Sequence, residues 1–256
     1  MVKVVREFQY RPTARLRRDS PDVEQQQPHH PRCQRQPGAA PSLRGAVNAH
    51  RIGVPLLRSV WRIHVHGTRN VPTEGAVILA GNHTGFLDGP LIVGLSPRPV
   101  HFLIKQELFV GPLGPVLHSL GQISVDRHGP DRAAVVAALA ALKAGGALGV
   151  FPEGTRSAGD FTSVHNGLAY FALSSGAPVV PVACLGTAVN GRTIGSLPAP
   201  RTLLDLVYGT PITREELTEG TEGLGRGRKI AAVSERLRVL LTAHLHKSRH
   251  LTGRDA

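Results

Sequence analysis

His83 and Asp88 stand five residues apart in "GNHTGFLDG", residues 81–89, and a histidine coupled to a carboxylate can act as a general base. A carboxylate bonded to one imidazole nitrogen fixes the tautomer and stabilises the imidazolium, leaving the other nitrogen to take a proton from a hydroxyl. Spacing alone does not establish the pair, because "HLTGRD" near the end of the chain also sets His250 five residues before Asp255. In a continuous helix, residues five apart are rotated by about 500° and lie roughly 140° from a common face, so such a pair meets only across a turn. Around His83 the sequence supplies one: an apolar run ends at Ala80 and Gly81, Gly85 permits tight backbone geometry, and a helical segment begins near Asp88. His250 lies in a polar stretch expected to follow the last helix. No G-x-S-x-G elbow is present and no serine adjoins the pair, so a substrate hydroxyl, not a protein nucleophile, is the natural proton donor.

Cations recur at similar positions. "GVFPEGTRS", residues 149–157, runs an apolar strand into a turn where Gly154 allows close backbone approach, Thr155 offers a hydroxyl and Arg156 presents a planar fork suited to phosphate. Glu153 could hold Arg156 by an ion pair; the alternative is a surface turn closed by that salt bridge. "GQISVDRHG" delivers Arg127 at a strand end, with Asp126 beside it, and Lys105 closes "HFLIK" in the same way. A phosphate beside a general base is the simplest occupant of such a site.

The elements that must position these groups follow from the pattern of the chain. Short apolar runs predict seven strands, at residues 62–67, 76–81, 101–105, 121–126, 147–151, 178–184 and 203–209, and Ala/Leu-rich segments predict helices near 88–95, 129–144, 167–175 and 228–246. Strands that are apolar throughout and alternate with helices indicate an α/β fold: a single domain with a mixed, largely parallel central sheet flanked by helices. Active sites of open α/β sheets gather at the carboxyl ends of the strands, where His83 and Asp88 fall. The expected divisions are a disordered basic tail over residues 1–45, the domain over 46–250 and a short tail over 251–256. The segment at 51–67 places Val54, Leu57, Val60 and Trp61 among Arg51, Arg58 and Arg62, which fits either a helix in a lipid interface or core packing. Pro55 should limit that helix to about two turns.

The 256 residues carry a net charge of +12, concentrated at the ends: residues 1–45 hold nine Lys/Arg against four acids, and residues 226–256 hold eight against two. Basic ends around a nearly neutral middle suit nucleic acid, an anionic membrane surface or simply solvated tails. With only 4% aromatic residues and no nucleic-acid motif, a basic nucleic-acid-binding protein is the remote alternative. No stretch approaches the 18 or so uncharged residues of a spanning helix, and no secretory signal opens the chain. A cytoplasmic, peripheral protein is expected. Cys33 and Cys184 are too far apart in sequence to form a zinc motif, and His29, His30 and Cys33 lack a fourth partner, so no metal site is expected.

The motifs N-H-x-x-x-x-D at 82–88, G-x-x-x-x-x-R at 121–127, F-P-E-G-T-R-S at 151–157 and P-V-V-P-V at 178–182 occur in the order that resembles the 1-acylglycerol-3-phosphate acyltransferase (PlsC-like) family of glycerolipid acyltransferases. The resemblance implies an O-acyltransferase of phospholipid biosynthesis. In it His83 and Asp88 activate the free hydroxyl of 1-acylglycerol-3-phosphate toward an acyl-CoA or acyl carrier protein thioester, giving phosphatidic acid. It further implies that Arg127 and the turn of Glu153, Gly154, Thr155 and Arg156 hold the acceptor's phosphate, that Pro178 to Val182 support the acyl-donor side, and that no acyl-enzyme forms; Asn82 and Lys105 join the expected substrate contacts, and no metal or bound cofactor is expected. Its partners would be a lysophospholipid, an acyl thioester and an anionic membrane surface on the inner face of the cell membrane. Another lysolipid, glycerol-3-phosphate or a glycolipid is the alternative acceptor, because "VHNG" puts His165 and Asn166 where the family usually has lysine.

Overall fold

The computed structural model describes residues 41–126, 129, 131–154, 158–188 and 196–254, all within the compact unit Arg35–Ala256. The tail expected over residues 1–45 therefore lies outside the described residues up to position 40.

A seven-stranded sheet forms the centre, in the order β1-β7-β6-β2-β5-β3-β4, with β1 Arg62–His66, β2 Val77–Gly81, β3 Val100–Lys105, β4 Ile123–Val125, β5 Ala147–Val150, β6 Val179–Leu185 and β7 Leu203–Tyr208. Each predicted strand is present to within two residues at either end. The five strands from β6 to β4 run parallel, so their carboxyl ends share one edge. β7 is antiparallel to β6, and β1 is parallel to β7, which makes the sheet mixed.

Side chains alternate between two cores, as the pleat requires. Ile78 and Ala80 of β2 and Val179, Ala183 and Leu185 of β6 face one side, while Val77, Leu79, Val180, Val182 and Cys184 face the other. The first side is covered by α4 Arg132–Lys143, α5 Gly167–Ser175 and α7 Arg226–Leu251, which buries Val233, Leu237, Leu241 and Leu245 at helical spacing. Each such side chain contributes about 1.5–3 kcal/mol relative to exposure. The second side is covered by α1 Leu43–Val60 and α2 Asp88–Leu95. Two short helices, α3 Leu113–Ser119 and α6 Arg214–Thr218, complete the α-helices among the described residues.

Two expectations are corrected, and a choice between two readings is decided. Pro55 does not stop α1, which runs for 18 residues; Pro55 and Arg51, whose carbonyl loses its helical donor to the proline, both lie on its exposed face. Of the two readings given for Leu57 and Trp61, core packing holds: both are buried, with the Trp61 indole donating to the Pro198 carbonyl at 3.1 Å, and Val54 and Val60 pack beside them. His250 falls inside the last turn of α7. Beyond it, Arg254 folds back to bond Asp205 and the Leu203 carbonyl, so the end of the described chain is docked on β7.

Candidate active site

β2 lies between β5 and β6, and the chain leaving its carboxyl end is fixed immediately. Asn82 spends its whole amide on β6: Nδ2 donates to the Cys184 carbonyl at 3.0 Å, and Oδ1 accepts from the Cys184 N–H at 2.7 Å. Read from the sequence as a substrate contact, Asn82 is instead a buried clamp that prolongs the β2–β6 ladder by one side chain. The next residue, His83, sets Nδ1 at 3.0 Å from Oδ2 of Asp88. The turn between them is closed on the same oxygen, which accepts the backbone N–H groups of Thr84 at 2.7 Å and Gly85 at 2.8 Å. A Cβ on Gly85 would come within 2.4 Å of the Thr187 carbonyl oxygen, so only glycine allows the turn to lie against the loop after β6.

Asp88 is 0% exposed. Burying an ionised carboxylate is unfavourable unless its lone pairs are filled, and here they are. Oδ1 accepts from the Thr187 hydroxyl at 2.5 Å, and the position at the start of α2 adds the favourable field of a helix N-terminus. The His83 ring is stacked face to face on Phe151, with centroids 4.0 Å apart and planes inclined by 3°, and Phe102 of β3 backs Phe151 at 4.8 Å. Clamped at Nδ1 and along one face, the imidazole retains Nε2 for a proton from a substrate.

Of the remaining predicted residues, those that are described lie along the same edge. Lys105 is the last residue of β3 and is partly exposed. Glu153 and Gly154 follow β5. Glu153 is buried, and its Oε1 accepts from the Phe161 N–H at 3.3 Å; Gly154 has φ +70°, and a Cβ there would meet the His165 ring at 2.7 Å. His165 thus sits against the turn where its sequence position replaces the family's lysine, while Asn166 accepts from Ser234 of α7 at 2.9 Å. Arg127, Thr155 and Arg156 lie outside the described residues.

Residues 62–185, which contain the pair, the Glu153–Gly154 turn and the strands that carry them, match the family model described as Acyltransferase. The chain is 28% identical over 177 residues to the 1-acyl-sn-glycerol-3-phosphate acyltransferase of Bacillus subtilis, covering 68% of this chain and 84% of that one. It is 34% identical over 137 residues to the protein of the same name from Borreliella burgdorferi, covering 50% of this chain and 55% of the relative. Residues 62–185 are an Acyltransferase-family domain, similar to the 1-acyl-sn-glycerol-3-phosphate acyltransferases. The chain's fold is also that of the crystal structure of the 1-acyl-sn-glycerophosphate (LPA) acyltransferase PlsC from Thermotoga maritima, with a TM-score of 0.58 over 80% of this chain and 79% of the other, at 22% identity.

Three residues of this acyltransferase's site were not assigned from sequence. Thr187 and Phe151 carry no local signal of their roles, since each meets the histidine–aspartate pair only through strand adjacency. Cys184 is the third: its thiol is fully buried beside the Asp88 backbone, at 4.0 Å from that carbonyl. Burial, and then the negative charge of Asp88, push its pKa well above that of an ordinary thiol, so it stays protonated and unsuited to attack on an acyl group.

Proposed function

We propose that the protein transfers a fatty acyl group from an acyl thioester, of coenzyme A or acyl carrier protein, to the free hydroxyl of 1-acylglycerol-3-phosphate, giving phosphatidic acid. The observation that carries this reading is the clamped His83–Asp88 pair at the carboxyl edge of the parallel strands. Nε2 of His83 takes the hydroxyl proton as the oxygen attacks the thioester carbonyl. The tetrahedral intermediate then expels the thiolate, which recovers the proton from the imidazolium. Asp88 stabilises that imidazolium, and its own charge is held by Thr84, Gly85 and Thr187. Lys105, Arg127 and the turn at 153–156 supply the cations and backbone groups for the acceptor's phosphate. The lysophosphatidate acceptor is supported by the names of the bacterial relatives. The chemistry requires two substrates and calls for no bound cofactor.

Both substrates are amphiphiles, and the reading places the enzyme peripherally on the anionic inner face of the cell membrane. Among the described residues no helix is long and apolar enough to cross a membrane. The outer face of α1 instead exposes Ile52 at 60% and Leu56 at 61%, flanked by the exposed Arg51 and Arg58. Apolar residues framed by arginines suit an interface of acyl chains and anionic headgroups.

Purified protein given oleoyl-CoA or oleoyl-carrier protein with a panel of lysolipids should yield phosphatidic acid by mass spectrometry, and no product from any donor with lysophosphatidate would reject the reading. Co-sedimentation with phosphatidylglycerol vesicles should fall when Ile52 and Leu56 are replaced by Asp, whereas unchanged binding removes α1 from the interface.

A further inference from the structure

Two histidines and a carboxylate outside the acyl-transfer machinery converge on the edge strand. His64 and His66 are two residues apart on β1 and project from the same face, and Asp205 of β7 is the register partner of His64. Nδ1 of His64 and Nε2 of His66 each lie 3.6 Å from Oδ1 of Asp205, and the three atoms all fall within 4.8 Å of one another.

Ordinary hydrogen bonding does not explain this spacing. An imidazole N–H donating to the carboxylate would close to about 2.8 Å. Instead Nε2 of His66 is shielded from solvent with no hydrogen-bond partner, although it points toward a buried carboxylate. The other carboxylate oxygen is occupied: Nε of Arg254 donates to Oδ2 at 3.0 Å, and its terminal nitrogen donates to the Leu203 carbonyl at 2.7 Å. Asp205 is thereby oriented by a group behind it, with Oδ1 turned to the two imidazoles, the arrangement in which a ligating carboxylate is held by an outer partner.

We propose that His64, His66 and Asp205 bind a borderline divalent transition-metal ion, Zn2+ foremost, which ties the edge strand β1 to β7. Zinc bonded to nitrogen and oxygen at about 2.0–2.2 Å sets its ligands roughly 3.3–3.6 Å apart around a tetrahedron. Two of the three ligand separations already have this length, and His64, whose side chain is 58% exposed, is free to rotate and close the third. Solvent supplies the fourth ligand on that open side. His244 does not, because its Nε2 is engaged with the Val207 carbonyl at 3.0 Å. Arg254 opposes any cation electrostatically, and the set holds one carboxylate, so Ca2+ and Mg2+, which need several oxygen ligands, are disfavoured against an ion that bonds imidazole. The ion takes no part in acyl transfer, and the inference does not depend on the acceptor or donor assigned above.

The test uses the untagged full chain, stripped with chelator and titrated with Zn2+ against a chromophoric competitor. Because His29, His30 and Cys33 could also take zinc, a variant with H29Q, H30Q and C33S is titrated in parallel. One equivalent should bind both proteins, H64Q and H66Q should each weaken binding by more than about tenfold, and zinc should raise the Tm of the parent but not of H66Q. Co2+ in the same site should give the intense visible absorption of a tetrahedral complex. Zinc affinity unchanged by H64Q, a mutation at an exposed side chain, overturns the site, as does binding that disappears only in the tail variant or fails altogether.

Discussion

The Thr187 hydroxyl donates a 2.5 Å hydrogen bond to Oδ1 of Asp88, joining the loop after β6 to the first residue of α2. Thr187 and Thr84 hydroxyls also lie 2.9 Å apart, so the turn that presents His83 and the loop that fixes Asp88 are one hydrogen-bonded unit. A bond to a buried charged group is worth about 1.5–3 kcal/mol. Thr187→Val keeps the shape and removes the hydroxyl; kcat should fall by roughly 10- to 100-fold with KM little changed, and Thr187→Ser should restore most of it. A valine variant with full kcat would show that the contact contributes nothing to the carboxylate's task.

His83→Ala should reduce transfer by about 10²–10⁴ while leaving the unfolding midpoint within a few degrees, since the ring lies at the rim of the site. Asp88→Asn should match that loss and also destabilise the protein. Its amide cannot accept from His83, Thr84, Gly85 and Thr187 together, because one of its two ends carries only donors. Steady-state kinetics with circular dichroism separates the two effects, and an Asn variant that is both active and stable contradicts the assignment.

Gly85→Ala tests the turn itself. With the Thr187 carbonyl 2.4 Å from the added carbon, the loop after β6 has to move, and Thr187 with it. Activity should drop by more than about tenfold and stability by about 1–3 kcal/mol, measured by urea unfolding. Parent-like values would mean that the two loops separate freely.

Stability should decline on mild acidification. His101 and His244 both have pKa values lowered from 6.5, chiefly by burial, while each is bonded to a carbonyl, of Gly121 at 2.8 Å and Val207 at 3.0 Å. Below pH 6.5 the unfolded chain takes up protons at these residues that the folded protein does not. Their contribution is therefore complete above that pH and is lost as pH falls toward the depressed folded values. Urea midpoints measured from pH 7.5 to 5.5 should fall, and His244→Gln should flatten the profile; an identical slope in that variant would exclude His244 as a contributor.

Local pattern was enough for the strands and for α2, α4, α5 and α7, because apolar runs and helical spacing are properties of contiguous residues. The helix over 167–175 is terminated where Gly176 adopts φ +71°, and α2 begins at Asp88 as its turn residues require. Pro55 misled because a proline's effect depends on which face of a helix it occupies, a fact fixed only when α1 packs on α2. Asn82 misled for a similar reason: its polarity and its place beside His83 fit a substrate contact equally well until β6 lay alongside.

By itself the sequence determined the chemistry available: a histidine and an acid across a glycine turn, cations at strand ends, and strands apolar enough to be buried on both faces. Tertiary structure alone decided which oxygen of Asp88 faces His83, that Thr187 holds the other, that Phe151 fixes the ring, and that His64 and His66 meet Asp205. These relationships join residues as far apart as 141 positions in sequence. Hydrogen bonds and ring contacts act over a few ångströms, so strand order and register, which no local pattern encodes, determine which side chains come within that range.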